Sequence, residues 1–290
     1  MAAYGIDPRR VVIEVTEESC RQTLAAEKTL VVFREAGCHI AIDDAGTAYS
    51  NLDRISLLAP EIIKLDCRPF HSSPYGREVV VSLGRLAERL GALLLVECVE
   101  DEEWLKFGLK AGATYAQGFL FAPAQPTLLP PEKFVPVVKD VARRLYYEEK
   151  DALTSELVLW RRLVALLEEV MTEPPFAIDR LLLLLPPVVF RLYLCTPSGE
   201  QVSPNFTRNK DGFWREEPGF IGHNWAWRPY FRELYKQFLS GSPWAVSEPY
   251  RDRHTREAVR TFIYRLPEGL FLLVDLMYGS GKTGLQGTDD

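Results

Sequence analysis

The amino-acid sequence predicts an α/β unit of parallel strands, then a long helix, then an α+β unit built on antiparallel sheet. Three patterns carry this. Short β-branched runs alternate with mixed, helix-compatible stretches over residues 11–118, as expected for strands buried on both faces and joined by crossover helices. Apolar residues then recur every three or four positions from 134 to 171, which is helical spacing. Beyond residue 179 the apolar runs alternate with period two and are broken by "PSG" and "PEG" turns.

The elements follow in order. "VVIEV" at 11–15 reads as a strand and residues 19–36 as a helix; "HIAID" at 39–43 leads through a glycine loop to a short helix near Leu52. "IIKLD" at 62–66 precedes a helix over 75–90, "LLLVE" at 93–97 precedes one over 102–111, and "TYAQG" at 114–118 ends the series. Residues 133–172 read as one long helix. Phe134, Val138, Val141 and Leu145 share a face; after the charged "EEKD" at 148–151 the phase slips by one, and Leu153, Leu157, Trp160, Val164, Leu167 and Met171 continue an a/d rhythm. Two readings fit that rhythm: a helix packed on its own domain, or a seam for a second copy. "TEPPF" from Thr172 stops the helix, since proline disfavours helix at the residue before it. Downstream, "VVFRLYLCT" is a strand and "RPYFRELYKQFL" at 228–239 a helix with proline in its first turn. "AVRTFIYRL" and "LFLLVDLMY" form an antiparallel pair across "PEG".

Composition narrows the function. A chain of 290 residues has room for two domains. A net charge of -6 argues against a polymeric nucleic acid as partner. It leaves room for a nucleotide held through metal ions, because bound cations reverse the local charge logic. The cysteines at 20, 38, 67, 98 and 195 have no zinc-type spacing and point to a reduced, cytoplasmic setting. "LLLLLPPVVF" from Leu181 is too short and too proline-broken for a span of roughly 20 residues. The N-terminus has no signal-peptide core, so no membrane partner is expected.

Polar residues gather where the strands of the first unit end. Glu14 and Glu17 follow the first strand, Asp43 and Asp44 the second; Lys64 and Asp66 lie on the third, Glu97 and Glu100 at the fourth, Gln117 at the fifth. Helix capping accounts for any one of them, but Lys64 has no capping role at a helix N-terminus. In a (β/α) barrel that C-terminal rim carries the active site. Carboxylates gathered without histidine or thiolate suit hard cations, Mg²⁺ or Mn²⁺. An Asp43 shared by two ions would explain the aspartate doublet, and two ions suit in-line phosphoryl displacement.

"IEVTEE", "IAIDDAGTAYSNL", "IIKLD", "VECVE" and "AQGFLFAPAQP" occur in the order and spacing of the EAL-domain family of cyclic di-GMP phosphodiesterases, which residues 1–126 resemble. The resemblance implies a modified TIM-type barrel that hydrolyses cyclic di-GMP to linear pGpG with two Mg²⁺ or Mn²⁺ ions. It implies Glu14, Asp43 and Asp44 as metal ligands, with Asp43 bridging. It implies Glu17 as the residue steadying the loop after the aspartates, and Lys64 as the contact to the attacking water. Glu97 matches a glutamate that either activates the water or sits with the metal; Glu100 and Gln117 match residues lining the substrate.

The family's Glu-Ala-Leu segment and an asparagine ligand lie upstream of the glutamate-threonine-glutamate motif. This chain has only ten residues before Val11. The expectation is therefore a partial barrel over residues 1–130, an N-terminally truncated fragment inactive alone, with a half supplied by another chain as the alternative. Ala45 stands where the family usually has phenylalanine, Ala48 where it often has glycine, and Cys98 where it usually has glycine. The first of these puts the order of the aspartate loop in question. Residues 131–173 are expected to form a connecting helix. Residues 174–290 resemble the PAS-like or Cache-like sensor domain found behind EAL domains in some regulators, ending in a flexible tail. That resemblance implies an unknown small ligand near Trp227, Arg228, Tyr230, Tyr250, Asp252 and Asp275, with Arg228 and Asp252 the stronger candidates. "GSGKTG" at 279–284 lacks the first glycine of a P-loop, and the four histidines form no metal spacing. The expected function is a sensor-regulated cyclic di-GMP phosphodiesterase acting as a homodimer, with a catalytically degenerate cyclic di-GMP receptor as the alternative.

Overall fold

The computed structural model describes residues 4–16, 23–45, 51–71, 73, 75–172 and 174–278. It divides into two compact units, Met1–Asp151 and Ala152–Asp290.

In the first unit β1 (Val12–Val15), β2 (His39–Ile42), β3 (Ile62–Asp66), β4 (Leu93–Glu97) and β5 (Tyr115–Ala116) form one sheet in sequence order. Every pairing is parallel. The crossovers are α1 (Thr23–Glu35), α2 (Asn51–Leu58), α3 (Gly76–Leu90) and α4 (Glu102–Lys110). Among the described residues no pairing joins β1 to β5, so the sheet is an open, partial (β/α) barrel. Ile40, Ile42, Ile63, Leu65 and Val96 are wholly buried, covered by Val80 and Ala87 of α3 and Leu105 of α4. Gly84 lets α3 come close: a Cβ there would lie 1.8 Å from the Ala111 carbonyl oxygen. Asp101 caps α4 by accepting from the Trp104 amide at 2.9 Å.

A single helix, α5 (Val135–Val170), runs through the charged "EEKD" without interruption, and the division between the units falls within it. The second unit adds α6 (Ile178–Leu184), β6 (Val189–Cys195), β7 (Asn205–Arg208), β8 (Trp214–Glu217), α7 (Pro229–Leu239), β9 (Trp244–Val246), β10 (Tyr250–Arg251), β11 (Ala258–Arg265) and β12 (Phe271–Met277). Its sheet is antiparallel, in the order β10-β11-β12-β6-β7-β8, with β9 sharing the outer edge of β11. Trp160, Leu163 and Leu167 of α5 join Leu181 of α6 in one core with Leu192, Phe262 and Val274. Phe231 of α7 joins a separate cluster with Tyr193, Ile263, Phe271 and Leu273. The sheet therefore uses both faces, one for each cluster, as strand alternation dictates. None of the helices among the described residues is long and apolar enough to cross a membrane.

The a/d rhythm has two outcomes along α5. Trp160, Leu167 and Met171 are buried in the second unit's core, together with Leu163, which the rhythm omits. Leu153 and Leu157, from the same rhythm, are 58% and 47% exposed. Truncating Leu167 to Ala should therefore destabilise the second unit by about 2–5 kcal/mol, whereas Leu153→Ala should stay within about 0.5 kcal/mol. Urea unfolding followed by tryptophan fluorescence separates the two, since Trp104 is the only tryptophan of the sequence outside the second unit.

A carboxylate cradle around Lys64

Alternation along β3 sends Lys64 and Asp66 to one face and Ile63 and Leu65 to the other. Parallel pairing then sets Asp66 beside Glu97, and Glu14 beside Ala41, two residues short of Asp43. The Asp43 amide donates to the Val15 carbonyl at 3.1 Å, and the Ala45 amide to the Lys64 carbonyl at 2.9 Å. These bonds bring three carboxylates onto one ammonium. Lys64 Nζ lies 3.0 Å from Glu14 Oε2, 2.9 Å from Asp43 Oδ1 and 3.0 Å from Glu97 Oε1, and only 8% of its side chain is exposed. Asp44 turns left-handed at φ 56° and donates its amide to Asp43 Oδ1 at 3.1 Å, a conformation aspartate tolerates better than most residues.

Burial by itself would lower the Lys64 pKa, but the hydrogen bonds from Asp43, Glu14 and Glu97 outweigh it and hold the ammonium charged well above its ordinary range. Lys64 is thus a fixed cation and donor, not a base near neutral pH. Burial raises Glu97, and Asp43 and Asp44 push the same way, against the pull of Lys64. Glu97 therefore takes up a proton more readily than an ordinary glutamate.

The cradle suits divalent ions. Carboxylate oxygens of Asp43, Asp44 and Glu97 lie within 4.8 Å of one another. Oxygens on opposite sides of an ion bound at roughly 2.0–2.6 Å stand about 4–5 Å apart. One ammonium also leaves the four carboxylates of the group short of positive charge. Glu14 stands outside that group of three and joins the cradle through Lys64 Nζ, 3.0 Å from its Oε2.

Glu100 and Gln117 sit at the exposed mouth, lining a cleft of about 230 Å³ with Glu97, Arg68 and Phe119. Gln117 is tied down by its backbone, which donates to Val96 and accepts from Val99 at 2.9 and 3.0 Å. Gly118 is required beside it, because a Cβ would stand 2.2 Å from the Val99 carbonyl oxygen. Glu17, Ala48 and the "GSGKTG" segment lie outside the described residues. Ala45 is fully buried and hydrogen-bonded, so the first step of the aspartate loop is anchored by backbone without the phenylalanine. The sequence reading missed Arg68, which grips Asp66; an arginine two residues beyond a strand-end aspartate was the available signal.

In the second unit Arg228, Tyr230, Tyr250 and Asp252 do come together, around a cavity of about 40 Å³. Tyr230 and Tyr250 stack at 5.0 Å, with the Arg228 guanidinium 5.4 and 6.0 Å from their ring centres and 5.6 Å from that of Trp227. Among the described residues, Arg228 Nε is buried without a hydrogen-bond partner. Asp252 is already engaged: it accepts from Arg191 Nη2 at 2.6 Å and from the amides of His254 and Thr255 at 3.0 and 2.8 Å. Asp275 accepts from Arg191 Nε and from the Thr261 hydroxyl, both at 2.7 Å. Arg191, unremarked in the sequence, is thus the centre of a buried ion cluster.

Residues 1–124 match the EAL domain family, and residues 137–280 match the family described as an EAL-domain associated signalling protein domain. The uncharacterised EAL-domain containing protein YkuI of Bacillus subtilis (strain 168) is 31% identical over 288 residues, covering 95% of this chain and 70% of YkuI. The chain belongs to the EAL-domain family. The crystal structure of YkuI, in complex with substrate c-di-GMP and calcium, superposes with a TM-score of 0.84 at 28% identity, covering 96% of this chain and 72% of that one. Cyclic di-GMP phosphodiesterase PdeF of Escherichia coli (strain K12) is 33% identical over 132 residues, 44% of this chain and 18% of PdeF.

Two predictions follow from the charge clusters. Lys64→Met leaves the carboxylates facing one another, and breaking a buried ion pair costs about 3–5 kcal/mol. Thermal unfolding should show that loss in a chelator, and Mg²⁺ or Mn²⁺ should recover more stability in the variant than in the unsubstituted chain. An equal ion response in both would count against an ion in the cradle. Burial would raise Asp252, but Arg191 and the turn amides outweigh it and hold the carboxyl at about 2, below its usual 3.8. A depressed carboxyl stabilises the fold above its unfolded pKa and loses that effect as pH falls through the folded one. Asp252→Asn should therefore cost about 2 kcal/mol at neutral pH. The gap to the parent should close between pH 4 and pH 2 in acid unfolding watched by tryptophan fluorescence.

Proposed function

We propose that the first unit serves a cyclic di-GMP phosphodiesterase, holding two divalent cations, Mg²⁺ or Mn²⁺, while one phosphodiester of cyclic di-GMP is hydrolysed to linear pGpG. The observation that carries this reading is the cradle, a buried ammonium shared by Glu14, Asp43 and Glu97 with Asp44 beside them. The calcium and c-di-GMP in the YkuI crystal structure support it, as does the likeness to PdeF.

Glu14, Asp43 and Asp44 would hold the ions, which would supply a water acidic enough to attack near neutral pH. Lys64 stays protonated and presents fixed positive charge toward developing charge on the phosphoryl oxygens, where a preorganised donor in a dry site is most effective. Glu97, 3.0 Å from Lys64 and grouped with the Asp43 and Asp44 oxygens, would either take the proton of the attacking water or help to hold an ion. Glu100 and Gln117 line the substrate at the mouth. The assignment of Glu17 rests on the family resemblance.

The second unit is proposed as a ligand-responsive regulator. Its support is the Nε of Arg228, a donor without a partner among the described residues, beside a cavity walled by Tyr230 and Tyr250. A cytoplasmic setting and a homodimer joined through the exposed Leu153 and Leu157 belong to the same proposal.

The test uses the whole chain with cyclic di-GMP and Mg²⁺ or Mn²⁺, following pGpG by anion-exchange chromatography and binding by calorimetry. The expected result is ion-dependent binding that Asp43→Asn and Asp44→Asn each weaken by tenfold or more, without pGpG from this chain alone. pGpG formed would exclude the receptor alternative and overturn the expected inactivity of the chain alone. No binding with either ion would overturn the phosphodiesterase and receptor readings alike.

A further inference from the structure

We propose that α5 is the regulatory coupling of this chain: a latch of exposed ion pairs holds it on α4, and an ion pair to β11 sets that latch from the second unit. This names the regulation of the cyclic di-GMP reading above and rests on it.

Apolar packing anchors the two ends of α5. Val137, Val138 and Val141 join the first unit's core, and Trp160, Leu163 and Leu167 join the second unit's. From Ala142 to Val158, among the described residues, no side chain of α5 belongs to either core. The ties of this stretch to its neighbours include three ionic rungs to α4. Arg144 meets Glu102, Lys106 Nζ lies 3.3 Å from Glu148 Oε2, and Lys110 Nζ lies 3.9 Å from Glu149 Oε1. Residue numbers rise together along both helices, so the two run parallel. The first two rungs are four residues apart on each helix, about one turn. The six side chains are 24% to 59% exposed, and pairs in that setting are weak and screened by salt. They are therefore releasable. They also fix register. Sliding α5 by one turn sets Glu148 against Glu102 in one direction and Arg144 against Lys106 in the other, so the latch opens by lifting before it slides.

Both ends of this arrangement reach a functional surface. α4 begins at the Asp101 cap, directly after Glu97 and Glu100. Its Trp104 ring stacks on His71 at 3.6 Å, three residues beyond Arg68. In the second unit Glu156 of α5 pairs with Arg260 of β11, whose Nε donates to the Ser247 carbonyl at 3.0 Å. These two side chains are 23% and 16% exposed, so salt screens this pair less than the rungs. Strand alternation turns the next residue, Thr261, to the opposite face. There its hydroxyl meets Tyr250 Oη and Asp275 Oδ1, both at 2.7 Å. Tyr250 walls the cavity of the second unit. A shift of that wall moves β11, β11 pulls α5 through Glu156, and the weaker rungs on α4 yield.

The experiment follows amide hydrogen exchange of the whole chain by mass spectrometry, without nucleotide, over residues 97–110 and 140–150. Lys106→Glu and Glu148→Lys each set like charges across one rung, and exchange should rise about threefold or more in low salt. The two together restore an opposite pair, and exchange should return most of the way to the parent's. Raising salt to about 0.5 M should loosen the parent in the same sense. Arg260→Met, in the other unit, should speed exchange at 97–110 and add nothing once Lys106→Glu has opened the latch. Arg180→Glu breaks an exposed pair to Glu169 away from the rungs and should leave both segments unchanged. If the double variant stays as fast as the singles, if the parent ignores salt, or if Arg260→Met is silent at 97–110, the proposal is overturned. No nucleotide is present, so each of those results leaves the phosphodiesterase reading standing on its own test.

Discussion

A lysine ammonium is buried at the C-terminal edge of a parallel sheet, and three strands or strand ends supply the carboxylates that keep it there. The rest of the first unit follows from this constraint. Moving Lys64 by one residue along β3 would carry it into the layer of Ile63 and Leu65 and put a leucine among carboxylates, since a slip of one exchanges the faces of a strand. Glu14, Asp43 and Glu97 are correct partners only while β1, β2, β3 and β4 keep their order and register. Sheet and site are therefore specified by the same contacts. Lost register would cost apolar burial and leave an unpaired buried charge together.

The second unit buries a cation too, and the contrast clarifies both. Arg191 lies between Asp252 and Asp275, and their remaining oxygen valences go to Thr261 and the turn amides. That cluster also holds one more carboxylate than cation, but it is closed, its oxygens taken up by donors of the protein. The Lys64 cradle is open on the Glu14 side and sets four carboxylates against one ammonium. A closed cluster pins a structure, whereas an open one with a larger excess of carboxylates retains affinity for an external cation. In the second unit, among the described residues, the Nε atoms of Arg208 and Arg228 are buried without a partner, and the Arg228 guanidinium lies over aromatic faces.

What the sequence disclosed depends on how each element is buried. The strands at 62–66 and 93–97 were legible to the residue, because central parallel strands are apolar on both faces and read as unbroken runs. Asn205–Arg208, Trp214–Glu217, Trp244–Val246 and Tyr250–Arg251 were not foreseen. They are short and at or near sheet edges, and all but Trp244–Val246 are polar, so no period stands out. The cradle was legible because strand-end carboxylates fall at one level of any βα repeat. Asp252 showed the limit. Its sequence neighbourhood suggests a ligand group, but the partner that engages it, Arg191, lies 61 residues away. Local pattern cannot disclose such a partner, although an arginine inside "VVFRLYLCT" was a sign of a buried counter-charge.

Two non-glycine residues beside the cradle adopt left-handed backbone, Asp44 at φ 56° and Cys98 at φ 57°. Each such position costs roughly 1 kcal/mol or more, so each must be held by something nearby. Asp44 is held by its own amide, which donates to Asp43 and fixes the doublet at the angle where both carboxylates approach Glu97. Cys98 follows Glu97 directly and lies between two backbone bonds, from the Cys67 amide to the Glu97 carbonyl at 3.4 Å and from the Val99 amide to the Gln117 carbonyl at 3.0 Å. A glycine there would adopt the same φ without strain. The bonds on either side thus hold the turn that carries Glu97 into the cradle, and strain at one position is offset by the strand ladder that flanks it.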